Sequence, residues 1–335
     1  MFRKFAAIGV VLSLLFPIAV KASDEVYLGG DSIGIEVAYD GVMVSGTYAI
    51  KVNGELYDPK DHGIAIGDII IAVNGTPITS MKELYQEVSK FQQPINEVPL
   101  TLNRKGTEVS MNLTTLYSSS EQMFQSGLYI KDNITGVGTL TFYDPSNHTF
   151  GALGHEIMDS DLKTIADVHK GNIYPAEVTS ITRAQDQVPG EKHANIDFET
   201  KIGEIKENSN LGIYGTYSNI AQDHPQLMPW ATQDEVHEGS AQIYTVLNGS
   251  QIQSYEITIT KLHHQNSMDV KGIEFVVNDP KLLEQTNGII QGMSGSPIVQ
   301  DGKLIGAITH VITSDPISGY GVYIEWMLEK AEQNQ

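Results

Sequence analysis

A serine flanked by small residues near the end of the chain is the strongest chemical feature of the sequence. The run Gly292-Met293-Ser294-Gly295-Ser296-Pro297-Ile298-Val299 leads into an apolar strand, and a second apolar strand ending at His310 follows the turn at Gly302. Small neighbours let the backbone turn sharply and expose a serine oxygen. They also let the N–H groups of Gly292 and Ser294 converge on a developing oxyanion. The pattern predicts a nucleophilic serine, Ser294 or Ser296, and the alternative is a glycine-rich turn with two ordinary serines.

A serine nucleophile needs a base, and His155 has the best setting among the 10 histidines. It follows Phe150-Gly151-Ala152-Leu153-Gly154, a predicted strand that ends in small residues, and it precedes Ser294 in the chain. Together the two regions resemble the base and nucleophile regions of chymotrypsin-like serine peptidases. The register of that resemblance implies Ser294, not Ser296, as the nucleophile and places His310 beside the substrate cleft. His263 and His264 are adjacent and would point to opposite faces of a strand. We therefore expect no metal site and no cofactor.

The acid that would orient the histidine is harder to choose from the residues themselves. The candidates are Asp159, Asp161, Asp167, Asp197 and Asp279. Position and residue type leave all five open.

Three longer runs carry a closer resemblance. The segments 278–297, 151–155 and 319–328 look like the stage IV sporulation protein B peptidase family, and the likeness spans nearly the whole chain. By that resemblance the acid is Asp279, which would complete a triad with His155 and Ser294. The alternative is that Asp279 is a turn residue before Pro280.

The family resemblance also implies a biological role. It implies an exported peptidase that cleaves a membrane-anchored regulator between the two membranes around a forespore, leading to processing of a sigma factor precursor. It implies self-cleavage near the N-terminus as well. Two alternatives stay open, a general envelope protease with chaperone-like behaviour and a non-catalytic scaffold that binds peptides. A peptide-binding domain is predicted from residue 24 onward, and the segment before it is short for the family. A divergent paralogue with another substrate is therefore a further alternative.

An earlier stretch has the pattern of a small peptide-binding domain. The run 67–78 predicts a buried strand that ends in an Asn-Gly turn, and Ser80 with Glu83 predicts a capped helix over 81–90. The arrangement resembles a PDZ domain of the bacterial protease type, in which a peptide adds as a strand between sheet and helix. The positions that match its binding loop, strand and helix wall are Ser32, Ile33, Gly34, Ile35, Leu84 and Val88. The alternative is that Gly34 makes a turn and Leu84 is core.

These readings give a mainly β chain in three parts. We expect a signal peptide or membrane anchor over 1–22, a small α+β PDZ domain over 24–116, and a chymotrypsin-like β-barrel serine peptidase domain over 123–335. The polar run 117–122 is a predicted linker or domain edge. A hairpin is predicted over 241–246 and 252–259, and a late helix over 324–333.

Composition limits the partners and the compartment. The 335 residues include 21 Lys and Arg against 41 Asp and Glu, a net charge of −20, which argues against nucleic acid or an anionic bilayer surface as the main partner. The absence of cysteine excludes disulfides and a cysteine nucleophile. Arg3 and Lys4 precede an apolar run over 5–20, the pattern of an export signal. We expect an extracytoplasmic protein, secreted or anchored, that acts on a protein or peptide substrate.

Overall fold

Strands dominate the fold, as expected. The computed structural model describes residues 25–120, 122–166, 168, 170–220, 225–312 and 314–333. The predicted signal or anchor over 1–22 lies outside the described residues. Within the described part of the chain, no helix is long and apolar enough to cross a membrane.

The described residues up to 144 form ten strands and one α-helix. Strands β1 to β5 are Glu25–Leu28, Ser32–Thr47, Ile50–Val52, Glu55–Tyr57 and Ile69–Val73. Strand β6 (Thr76–Pro77), helix α1 (Met81–Val88) and strands β7 (Ile95–Arg104), β8 (Thr107–Ser118), β9 (Met123–Gln125) and β10 (Leu128–Asp144) follow.

The chain after residue 144 continues with short and long strands and two α-helices. Strands β11 to β18 are Thr149–Ala152, Met158–Asp159, Thr164–Ile165, Lys170–Thr182, Glu191–Ile196, Gly203–Ser209, Gly212–Tyr217 and Leu227–Pro229. Then come β19 (Gly239–Val246), β20 (Ile252–Leu262), β21 (Ile273–Val277), α2 (Pro280–Thr286), β22 (Pro297–Gln300), β23 (Lys303–Ile312), β24 (Asp315–Tyr323) and α3 (Ile324–Glu332).

The PDZ-like region is built on α1 and the β5–β7–β8 sheet. Its core contains Ile70, Val98 and Leu100, with Leu84 of α1 packed against them. The Ser80 Oγ accepts the N–H of residue 83, as the capping pattern predicts. The helix ends at Val88, two residues before the predicted end.

Strands β2 and β10 run through both parts of the molecule. Strand β2 is continuous through Asp40-Gly41 and carries a bulge there. Its second half pairs with β5 in the PDZ-like region, whereas its first half pairs with β14 of the peptidase region. Strand β10 pairs with β2 along both halves. Because a single bulged strand can serve two cores, the two regions share one 14-stranded sheet.

The predicted linker is not a free segment. Residues 117 and 118 belong to β8, and β9 folds back to pair with them. The spatial boundary between the two regions therefore crosses the middle of β2 and β10 instead of lying at 117–122.

A closed barrel forms the last third of the chain. Its strand order is β19-β20-β21-β24-β23-β22, and the β19–β20 hairpin matches the predicted one. Ile243, Ile257, Phe275 and Ile298 fill its interior. Helix α3 packs against the outside through Met327.

Candidate active site

The nucleophile loop joins α2 to β22 and presents Ser294 to a cleft. Met293 before it is fully buried in the barrel core. Ser296 is also fully buried, and its hydroxyl has no partner among the described residues. Gly295 has φ +89°, and a Cβ there would lie 2.1 Å from the carbonyl oxygen of Thr139. The loop therefore requires glycine at 295, and of the two serines Ser294 lies where a substrate can reach it.

Two N–H groups of the loop point away from protein acceptors. The Gln291 carbonyl accepts the Lys192 N–H at 3.0 Å, and the Met293 carbonyl accepts the Ser296 N–H at 2.9 Å. Because C=O and N–H of a trans peptide point in opposite directions, the N–H groups of Gly292 and Ser294 are turned the other way. Within the described ranges neither N–H has an acceptor in the protein. This is the arrangement that an oxyanion hole needs.

His155 follows a strained end of β11. Leu153 has φ +70° and Gly154 has φ +68°, so two consecutive residues lie in the left-handed region. A leucine in this conformation carries strain of about 1–2 kcal/mol, and such strain often marks a functional site. The Nδ1 of His155 lies 2.8 Å from the carbonyl oxygen of Glu156. Since a carbonyl only accepts, Nδ1 carries the proton and Nε2 is left as the basic nitrogen.

Ser294 and His155 line the same cleft. It has a volume of about 560 Å³ and is lined by both side chains, by Gly292 and by His310. Its remaining wall is mainly apolar, and includes Ile35, Ile134, Val137, Leu153, Ile157 and Met158. The Ser294 hydroxyl donates to the Thr309 carbonyl oxygen at 3.2 Å.

A second imidazole lies beside the first. The ring centroids of His155 and His310 are 5.6 Å apart. Desolvation of the His310 ring, followed by the proximity of His155 and Lys271, lowers the pKa of His310 below its ordinary value of 6.5. His310 is therefore a neutral wall residue at neutral pH, in agreement with the place predicted for it.

Asp279 does not join this cleft, which corrects the predicted triad. Its carboxylate caps helix α2 and accepts N–H groups from Lys281 at 2.8 Å, Leu282 at 3.0 Å and Glu256 at 3.2 Å. The pattern Asp279-Pro280 is a strong N-cap signal with proline in the first turn, and it would have predicted this helix from the sequence. The orienting contact of His155 in this structure is the Glu156 carbonyl.

The capping role of Asp279 gives a testable result. We expect Asp279→Asn to leave turnover within about threefold of the unchanged protein and the melting temperature nearly unchanged, because Asn caps helices as well as Asp does. A member of a catalytic triad would instead lose about 10⁴-fold in turnover on the same change. Steady-state hydrolysis of a peptide substrate, with thermal unfolding in parallel, decides between them.

The other predicted acids lie elsewhere or outside the described residues. Asp159 is buried and accepts from the Tyr39 hydroxyl and from Lys131, which also pairs with Asp161 at 2.6 Å. Asp197 accepts the N–H of Glu199. Asp167 lies outside the described residues. Among the carboxylates that the structure describes, none is hydrogen-bonded to His155.

The predicted peptide-binding positions divide into two groups. Leu84 and Val88 line a cavity of about 290 Å³ beside α1, closed on its other side by Met123 and Phe124 of β9 and by the start of β10. Asp132 of β10 accepts the N–H at the start of α1. The side chains Leu84 and Val88 thus stand where the prediction put them, beside a cavity.

The four residues predicted to form the peptide-binding loop and strand lie in a fully paired strand. Ser32, Ile33, Gly34 and Ile35 lie in β2 and pair with β10 on one edge and, over Ile33–Ile35, with β14 on the other. Both edges are used, so no peptide can add there as a strand. Ile35 instead lines the cleft that holds Ser294. The expectation of a peptide-binding loop over these four residues is corrected.

One residue behind the loop was not found from the sequence. Lys192 on β15 is 2% exposed, and its ammonium contacts the hydroxyls of Ser32, Thr139 and Thr245 at 3.5, 3.4 and 2.7 Å. No carboxylate among the described residues pairs with it. Burial lowers the pKa of Lys192 from 10.5 to about 7. A single lysine in an alternating strand gives no sequence signal for this environment.

The lowered pKa of Lys192 predicts a pH dependence of stability. Below about pH 7 the group is charged in both states, and the folded protein bears the full cost of burying it. Between about pH 7 and 10 the unfolded chain binds a proton that the folded chain lacks, so the free energy of unfolding rises with pH. We therefore expect the unchanged protein to gain stability relative to Lys192→Met over this range. Denaturant unfolding of both proteins at several pH values tests this. The prediction is contradicted if the free energy of unfolding changes with pH equally in both proteins.

Comparisons with known proteins match both regions of the chain to known families. The model of the SpoIVB peptidase S55 family matches residues 122–328, and a PDZ domain model matches residues 32–115. The zinc metalloprotease RasP of Shouchella clausii is 38% identical over 76 residues, which are 23% of this chain and 17% of that protein. The chain thus spans less than a fifth of this curated relative.

Solved structures show a more distant likeness. The active form of the Rv3671c protease from M. tuberculosis is 12% identical, with a TM-score of 0.34 over 60% of this chain and 74% of that one. The inactive form is 11% identical, with a TM-score of 0.33 over 59% of this chain and 84% of that one. The family model covers well over half of this chain. The chain therefore belongs to the SpoIVB peptidase S55 family, and its residues 32–115 match a PDZ domain.

Proposed function

We propose that Ser294 is the nucleophile and His155 the base of this peptidase. Ser294 attacks the scissile carbonyl while the Nε2 of His155 takes the serine proton and later gives it to the leaving amine. The N–H groups of Gly292 and Ser294 bind the oxyanion. The observation that carries the proposal is that one cleft holds Ser294, His155 and two N–H groups without protein acceptors.

The proposed role is that of an exported peptidase whose substrate is a membrane-associated regulatory protein in sporulation signalling. The family name and the N-terminal pattern of Arg3, Lys4 and the apolar run over 5–20 support this location and role. The apolar cleft wall supports cleavage within an extended segment that carries apolar side chains next to the scissile bond. Cleavage of such a regulator would release the processing of a sigma factor precursor.

Substrate selectivity separates this role from that of a general envelope protease. A signalling peptidase should cut one or a few sites in folded or extended targets and leave casein largely intact. Broad degradation of casein at rates similar to those for a selected peptide would favour the general protease. Mass spectrometry of the products from a mixed peptide library gives the cleavage-site preference at the same time.

The proposal includes self-cleavage near the N-terminus. Purified full-length protein should lose N-terminal mass on incubation, whereas Ser294→Ala should stay intact. A first-order rate that does not depend on protein concentration would indicate cutting within one molecule. Loss of the segment from Ser294→Ala at the same rate would show that a contaminating protease does the cutting.

We also propose that the PDZ domain takes a peptide ligand at the cavity beside Leu84 and Val88. The cavity has room for an apolar side chain, and its lining is mostly apolar. Because β10 and β9 already flank this space, the ligand must insert between α1 and the chain's own strands. Fluorescence anisotropy with labelled peptides ending in apolar residues measures this binding, and Val88→Lys should abolish it.

A further inference from the structure

The backbone and side-chain stem of Lys192 both touch the nucleophile loop. Its N–H holds the Gln291 carbonyl at 3.0 Å. A Cβ built on Gly292 would lie 3.1 to 3.3 Å from the Cβ, Cγ and Cδ atoms of Lys192, so the stem of the lysine covers one side of this glycine. Gly292 has φ +90°, a conformation that glycine adopts without strain but also leaves easily. The loop therefore depends on its neighbours to keep this conformation.

The ammonium of Lys192 reaches the loop through a threonine. The Thr139 hydroxyl donates to the Gly292 carbonyl oxygen at 2.7 Å and lies 3.4 Å from the Lys192 Nζ. An ammonium has donors and no acceptor, so Thr139 accepts from Lys192 and is left to donate toward Gly292. The Thr139 N–H also donates to the Ser294 carbonyl oxygen at 3.1 Å.

Both peptide groups that flank the Gly292 Cα are thus held from the side opposite the cleft. The Lys192 N–H fixes the peptide before it, and the Thr139 hydroxyl fixes the peptide after it. A buried cation without a counter-ion is costly, and an apolar side chain would fill the same space at lower cost. The presence of a lysine here is explained if the hydrogen bond that its protonated form donates to Thr139 is needed.

We propose that Lys192, acting through Thr139, is a positioning residue that fixes the peptide after Gly292, keeps this glycine in its left-handed conformation and so keeps the Gly292 N–H directed toward the substrate carbonyl. This inference rests on the proposed roles of Ser294 and Gly292. Neither Lys192 nor Thr139 touches the substrate in this proposal. Their effect is on the orientation of one oxyanion donor, and hence on the rate of the covalent step.

Reaction with a fluorophosphonate tests the inference, because its phosphoryl oxygen occupies the oxyanion position. Removing an oxyanion donor outright costs about 10²–10³-fold, so Thr139→Val and Lys192→Met should slow labelling and kcat by about tenfold to a hundredfold with KM little changed. Thr139→Ser, which restores the hydroxyl, should recover most of the rate. Thr149→Val is the matched control, since Thr149 is a buried strand threonine whose hydroxyl donates to Asn147 outside the cleft.

Each variant is assayed well below its melting temperature, with circular dichroism confirming that it is folded. The inference is overturned if Thr139→Val or Lys192→Met reacts at the rate of the unchanged protein, or if Thr149→Val slows the reaction equally. It is also overturned if the rate losses follow the losses of melting temperature across the series. If the unchanged protein is not labelled at Ser294, the proposed site itself is wrong and the inference fails with it. These two failures are therefore distinguishable.

Discussion

Replacement of Ser294 by alanine is expected to abolish fluorophosphonate labelling and to reduce peptide hydrolysis by roughly 10⁶-fold, the loss that follows removal of the nucleophile in another serine protease. The residual rate would come from substrate binding and the oxyanion donors alone. Stability should change little, because the side chain of Ser294 is only partly buried. Its hydroxyl makes one hydrogen bond among the described residues, to the Thr309 carbonyl. Labelling is read by intact mass, and the modified residue is located by peptide mapping.

The same loop offers a matched control two residues away. Ser296→Ala removes a fully buried hydroxyl that has no partner among the described residues, so it should leave labelling unchanged and stability equal or slightly higher. Retained labelling in Ser294→Ala, together with its loss in Ser296→Ala, would reverse the assignment. Loss of labelling in both variants would point to damage to the loop as a whole.

Replacement of His155 by alanine is the second large effect. We expect kcat/KM to fall by at least about 10³-fold, because a serine hydroxyl without a base is a weak nucleophile. The affinity for a peptide substrate should change much less, since apolar side chains make up most of the cleft wall. Initial rates over a range of substrate concentrations separate the two quantities.

His310→Ala is the informative comparison, because both rings line the same cleft. Among the described residues no hydrogen-bond partner selects a tautomer of His310, whereas the Glu156 carbonyl selects the tautomer of His155. We expect His310→Ala to cost less than about tenfold, as a change in the cleft wall that leaves the base in place. A larger loss for His310→Ala than for His155→Ala would exchange their roles.

Local sequence patterns were sufficient to single out Ser294, His155 and Gly292, which the structure places around one cleft. In each case the signal is a short run whose backbone geometry is set by adjacent small residues, such as Gly295 next to the nucleophile. Helix α1 was found for a similar reason, because Ser80 supplies its own cap. These features depend on residues close together in the chain, where sequence is most informative.

The corrected predictions concern partners that are distant in the chain. Ser32–Ile35 has the local pattern of a strand and is one, but its neighbours β10 and β14 lie about a hundred residues or more away in sequence, and no local pattern selects them. The family resemblance implies that Asp279 is the acid that orients His155, although the neighbouring Pro280 favours a helix N-cap at this position. The buried state of Lys192 depends on three hydroxyls from three separate strands, which alternation in β15 does not reveal.

The passage of β2 and β10 through both cores has a consequence for the modularity of the chain. Many domains joined by linkers unfold independently and can be exchanged as cassettes. Here a fragment that begins at residue 123 would lack β2, whose first half forms part of the peptidase sheet. We expect one cooperative unfolding transition in calorimetry and rapid degradation of that fragment in cells. Recombination that replaces the PDZ domain as a unit should succeed only when its crossover points lie inside β2 and β10.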